Sequence, residues 1–251
     1  MTIAKANNRF WALATALVLT AGLTGCASEK ETLFAPRSRS LPPQVRQILR
    51  DAVVRQPDLA SLRDSHETGD AWRNLQDFYG RRSYMPAWST SEGPARQAAA
   101  LIAAIPVLAA EGLDARRYSA ERLAALAREV QETKSFDDAN AQRRLADLDV
   151  ELTFTYLSIV EDLASGSLQP AKLDVEWFVK RGQAGAGAQE PPLEAALRAK
   201  TPTEMLKTLR AAAPRQAGYQ RLTQALLAYR RIAERGGWGE VPEGPPLKPG
   251  D

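Results

Sequence analysis

The sequence predicts an all-α protein, on three observations. Apolar residues recur at three- and four-residue steps through most of the chain from Pro42 to Trp238. No stretch keeps the apolar–polar alternation of a strand for long. Alanine, leucine and arginine dominate while valine and isoleucine are few, which favours helix.

The N-terminus reads as a leader. Lys5 and Arg9 precede an apolar run from Phe10 to Leu23, and Leu23-Thr24-Gly25-Cys26 follows. A basic start, a short apolar core and small residues at the cut describe a secretory signal peptide. The run is shorter than the ~20 residues a spanning helix needs. Leu-Thr-Gly-Cys resembles a bacterial lipobox, so residues 1–25 are expected to be removed and Cys26 to be lipidated. Cys26 is the chain's only cysteine, so no disulfide is expected and the apolar core alone must stabilise the fold. Of 33 basic side chains, Lys5 and Arg9 would leave with the leader, and 31 would face 30 acidic ones. The near-neutral balance gives no nucleic-acid footprint.

Residues 26–41 are polar and aperiodic, a disordered tether. Pro42 and Pro43 open a helix carrying Val45, Ile48, Leu49, Ala52 and Val53, because proline lacks only an N–H that would be unpaired there. Pro57 marks its end. Trp72, Leu75 and Phe78-Tyr79 predict a second helix stopped by Gly80, followed by a compact aromatic turn, Tyr84 to Trp88. Pro94 to Ala110 reads as one helix ending before Gly112. Ser119 is placed to cap the next, Ala120 to about Val130, through its hydroxyl.

The longest helix is predicted from Ala139 to about Ala164. Leu145, Leu148, Leu152, Tyr156, Ile159 and Leu163 form one apolar face, and Val150, Phe154 and Leu157 a second opposite it. Two apolar faces place a helix between neighbours, at the domain centre. Gly166 ends it. Gly182 to Pro192 is a flexible loop without the GK[ST] of a phosphate cradle. Leu193 to Ala199 and Pro202 to Leu209 are short helices, with Thr201 and Thr203 both candidate caps for the second. The last helix carries Tyr219, Leu222, Leu226, Tyr229 and Ala233 on one face and ends at Gly236-Gly237. Trp238 and a Pro/Gly-rich tail, residues 239–251, follow.

The order of several short motifs resembles a family. IAERGGW then VPEGPPLKPGD, the aromatic pair FY followed by PAW, AAEGLDARRY, and SGSLQP followed by Trp177 are similar to the helical scaffold domain of large periplasmic L,D-transpeptidases. The likeness covers about Asp70 to Asp251. In that family a peptidoglycan-binding module and a catalytic domain would come next, the latter using a cysteine nucleophile and a histidine in a segment resembling Ser-His-Gly-Cys. Here the chain stops at Asp251, its cysteine is assigned to lipid, and its only histidine, His66, lies in the polar stretch RDSHETGD.

The expectation is therefore a non-catalytic, lipid-anchored envelope protein. It would face the periplasm from the outer membrane, since Ala27 rather than aspartate follows Cys26. Its role would lie in peptidoglycan remodelling, by contact or positioning, with the membrane, peptidoglycan or cell-wall enzymes as partners. Two other readings stand beside it. One is the N-terminal part of a catalytic murein L,D-transpeptidase whose catalytic domain is lost or encoded separately. The other is an outer-membrane lipoprotein with an unrelated binding role. No catalytic, metal or cofactor residues are expected, and Cys26, for lipidation, is the one assigned site.

Five carboxylates on the longest helix bear on glycan chemistry. Asp147, Glu151, Glu161 and Asp162 are expected on its polar flanks, solvated or paired. Asp149 falls about 40° from Leu145 and about 20° from Tyr156 at 100° per residue, inside the apolar face. A buried charge needs a partner. An Arg or Lys of a neighbouring helix is expected, with Arg221 and Arg230 as candidates.

Overall fold

The computed structural model describes residues 41–55, 68–167, 193–239 and 244. Cys26, the tether, His66, Trp177, the 182–192 loop and most of the tail lie outside them. The described chain is all-α, as the periodicity predicts. In order it forms α1 (Pro43–Arg55), α2 (Thr68–Arg81), a minimal hairpin of β1 (Ser89–Thr90) and β2 (Gly93–Pro94), α3 (Arg96–Ala104), α4 (Ala120–Glu132), α5 (Ala139–Ser165), α6 (Leu193–Ala196), α7 (Pro202–Arg210) and α8 (Ala217–Glu234). No described helix is long and apolar enough to cross a membrane.

The central-helix prediction holds. Helix α5 packs against α1, α2, α3, α4 and α7, and every apolar residue of its two predicted faces is buried. Asp138 caps its start by accepting from the Ala141 amide, and Gly166 ends it at φ 87°. Thr201 rather than Thr203 caps α7, its hydroxyl accepting from the Glu204 amide.

Four local readings are corrected. Helix α3 ends at Ala104 and the chain tightens into a 3₁₀ turn, Ile105–Glu111. Pro106, without an N–H, is the physical reason. Gly80 does not stop α2; Ser83 and Tyr84 take the left-handed conformation, at φ 51° and 57°, and turn the chain. Ser119 caps α4 with its backbone at φ 48°, and its hydroxyl makes no capping bond. The hairpin, two residues a side, is too short to show a strand period.

The largest departure is α8. Its predicted apolar face is only partly covered, and none of its residues is buried. Its main contact is the 105–111 turn. Leu226 reaches Gly112 there, Arg230 donates to the Ala109 carbonyl, and Tyr219 meets Glu111.

Candidate functional site

Two polar places stand out, and both are built on α5. The first surrounds Asp149, which is wholly buried as its helical position predicts. The left-handed residues Ser83 and Tyr84 swing the chain after α2 back across α5. The Ala87 and Trp88 amides then donate to the two Asp149 carboxylate oxygens, at 2.6 and 3.1 Å. The Tyr79 hydroxyl lies 2.9 Å from Oδ1. The Trp88 indole N–H donates to Thr153 Oγ1 at 2.8 Å, and that hydroxyl donates back to the Asp149 carbonyl at 3.0 Å. With the Tyr79 proton on Oδ1, every donor of the group has an acceptor.

The expected ionic partner is not there. Among the described residues no Arg or Lys pairs with Asp149; Arg221 is exposed and Arg230 is bonded to Ala109. Two amides and a phenol hydrogen-bond the carboxylate instead. Burial pushes the Asp149 pKa from 3.8 up to about 6, against the downward pull of its hydrogen bonds from Ala87, Tyr79 and Trp88. The Ser89 hydroxyl lies near enough to favour the carboxylate without completing a hydrogen bond of good geometry. The Tyr79 hydroxyl is pushed well above its usual range, first by burial and then by the Asp149 charge. The group has no opening to a described cleft, so it locks the aromatic turn to the central helix.

A second departure concerns Glu151 and Asp162, both expected on polar flanks, solvated or paired. Glu151, Thr155, Ser158 and Asp162 recur at helical spacing and all four are buried. They face α4 and the 3₁₀ turn Ala115–Tyr118. Arg122 of α4 donates to Glu151 Oε1 at 2.7 Å, and the Tyr118 hydroxyl donates to Asp162 Oδ2 at 2.7 Å. The paired reading therefore holds for both carboxylates and the solvated one does not. Burial raises the pKa of Glu151, opposed by Arg122. It raises that of the half-buried Asp147 too, opposed by Arg143 and Arg122.

The second place is a cleft of about 470 Å³ at the C-terminal end of α5, lined by Glu111, Leu113, Asp162, Gly166, Pro214 and Tyr219 among others. Arg210 of α7 holds Glu111 Oε1 at 2.7 Å, and the Tyr219 hydroxyl lies 3.4 Å from Oε2. Burial, helped by Glu111, pushes the Tyr219 hydroxyl up to about 12. The wall offers acceptors and the carbonyl end of a helix, which suit cationic or N–H-donating groups. Among the described residues its lining includes no cysteine, histidine or lysine. Among the described residues no group of three or more His, Cys, Asp or Glu side chains is arranged to hold a metal ion.

The family model described as the scaffold domain matches residues 73–226, more than half of the chain. The chain belongs to the scaffold-domain family. No curated protein and no solved structure matches it. The match starts in α2 and ends in α8, so the scaffold domain includes the Asp149 group, the buried stripe of α5 and the cleft.

Sequence reasoning missed Tyr79, Thr153, Tyr118 and Glu111 as polar partners. Tyr79 and Tyr118 read only as aromatic landmarks. A carboxylate placed on an apolar helix face is the one signal that could have prompted a search for their hydroxyls.

Proposed function

We propose that this scaffold-domain chain is a lipid-anchored, non-catalytic protein of the bacterial envelope that acts in peptidoglycan remodelling by contact or positioning. One observation carries the reading: the only cysteine, Cys26, follows an apolar run and Leu23-Thr24-Gly25, and the only histidine is His66. L,D-Transpeptidation needs a thiolate with a base beside it, and an acylated Cys26 has no thiolate to offer. The order of motifs from Asp70 to Asp251, which resembles the scaffold domain of the large L,D-transpeptidases, supports the link to the cell wall. A helical body whose buried Asp149, Glu151 and Asp162 each hydrogen-bond another part of the fold suits positioning better than chemistry.

A second reading is favoured by VPEGPPLKPGD, which resembles the join to the wall-binding and catalytic modules of that family. On it, the chain is the front part of a transpeptidase whose catalytic domain is lost or encoded separately. Envelope fractionation tests the first reading. Wild-type protein is expected with the outer membrane, and Cys26→Ser is expected released or unprocessed. Wild-type protein in the soluble periplasmic fraction would sink the anchored reading. A downstream frame encoding a Cys/His catalytic segment, with its product co-purifying, would favour the second.

A further inference from the structure

Helix α8 leaves an apolar strip in water. Leu222 is 71% exposed, Tyr229 60% and Trp238 69%. These are large side chains, and burying each would recover a kcal/mol or more. They are contiguous: Leu222, Ala225, Tyr229 and Ala233 share one face at helical spacing, and the Trp238 ring packs tilted against Tyr229 with centroids 5.6 Å apart. Gly236 and Gly237, at φ 98° and 85°, fold the chain so that Trp238 returns to the helix. The side of α8 that packs on the 105–111 turn carries Tyr219, Leu226 and Arg230, about a quarter turn away. The strip therefore lies beside the domain contact, not under it.

Charge selects the occupant. Arg221 borders the strip on the side away from the domain, Arg235 caps the helix end about 120° round from Tyr229, and Arg231 lies on the opposite face. All three are exposed, and among the described residues none forms an ion pair. Glu234, the helix's one acidic residue, falls on the far side. A second copy would bring arginine against arginine. A convex single helix with Leu, Tyr and Trp on one side and unpaired arginines at its edge instead fits a surface that is apolar below and anionic above. That is the interface of an anionic lipid bilayer, where aromatic rings with a polar tip settle at headgroup level.

We propose that α8 and Trp238 form a peripheral membrane-contact surface for anionic lipid headgroups, independent of the anchor on Cys26. Tyr229, Trp238 and Leu222 enter the acyl boundary, and Arg221 and Arg235 meet the phosphates. The surface gives the scaffold domain a second membrane contact, and stable peripheral attachment takes more than one.

The test uses the full chain with Cys26→Ser, so no acyl chain contributes. Ala233→Cys, exposed on the strip, then supplies the only thiol for an environment-sensitive fluorophore and leaves Leu222, Tyr229 and Trp238 in place. The label is expected to shift blue with vesicles of phosphatidylcholine and phosphatidylglycerol, and not with phosphatidylcholine alone. The same label at Glu129→Cys, exposed on α4, is expected to stay unchanged. Adding Arg221→Gln and Arg235→Gln should weaken binding roughly 30-fold, about five-fold per cation. No shift with anionic vesicles overturns the proposal. So does an equal shift at both labels, which signals adsorption through the apolar Phe10 to Leu23 run. A shift without vesicles that grows with protein concentration overturns it in favour of a second copy. The outcome is independent of fractionation, which reads the Cys26 anchor of the wild-type chain.

Discussion

Replacing Asp149 separates hydrogen bonding from charge burial in the core of the scaffold domain. In Asp149→Ala the Ala87 and Trp88 amides lose their acceptor, while the Tyr79 hydroxyl still has the main-chain carbonyl at that position. A stranded buried donor costs about 1–3 kcal/mol. Removing the desolvated charge returns part of this. A shift from 3.8 to about 6 corresponds to about 3 kcal/mol at neutral pH. Two stranded amides less the returned charge cost leave a net loss of up to about 3 kcal/mol, or up to roughly 12 °C in Tm for a domain this size. Asp149→Asn keeps Oδ1 for Ala87 and Tyr79 and turns an N–H toward Trp88. One conflict of about 1–3 kcal/mol is offset by the lost charge, and its stability at pH 7 should lie within about 1–2 kcal/mol of wild type. Both variants also lose the pH dependence that Asp149 gives the wild type. The folded pKa lies above the unfolded one, so the wild-type advantage over Asp149→Asn is complete below pH 3.8. It is lost as pH rises through about 6. Urea unfolding of the three proteins across pH 4–7 measures this directly. A wild-type minus Asn difference flat in pH would refute the reasoning.

Three further outcomes are expected. Arg122→Ala strands the buried Glu151 carboxylate; with Arg122 half exposed, the loss is expected at roughly 1–3 kcal/mol, below that of a fully buried pair. Glu151→Gln added to it should recover part of that loss in the same urea titration. Arg230→Ala removes the bond to the Ala109 carbonyl; hydrogen exchange should quicken across α8 while α5 keeps its protection. Gly112→Ala forces a side chain into φ 89° beside Leu226 and should lower stability by about 1–2 kcal/mol, read as a shift in Tm.

The fold was legible wherever a pattern repeated. Helix α5 showed two apolar faces over seven turns, and burial follows from such a pattern because both faces must be covered. Asp149 was legible as buried for the same reason. Its partners were not, because backbone amides leave no mark in a sequence. Ser83 and Tyr84, which deliver those amides, are not residues whose type announces a left-handed turn. Glu151 and Asp162 looked like flank residues because the wheel of α5 ranks faces by apolarity. It does not show that α4 and the 115–118 turn close over the polar stripe. Helix α8 shows the opposite limit. Its periodicity identified an apolar face but could not say whether anything packs on it, and the 105–111 turn covers only one side. The 3₁₀ turn after α3 was legible in Pro106 and was overridden in the reading by the alanine run around it.

The most direct measurement of the central claim is a cross-linking assay on the purified chain with tetrapeptide-bearing muropeptides, run beside the Cys26→Ser variant. Product separation by mass is expected to show no cross-linked dimers with either protein. Dimers formed equally by both would contradict the account, because catalysis without the only cysteine would place an active nucleophile elsewhere in the scaffold domain.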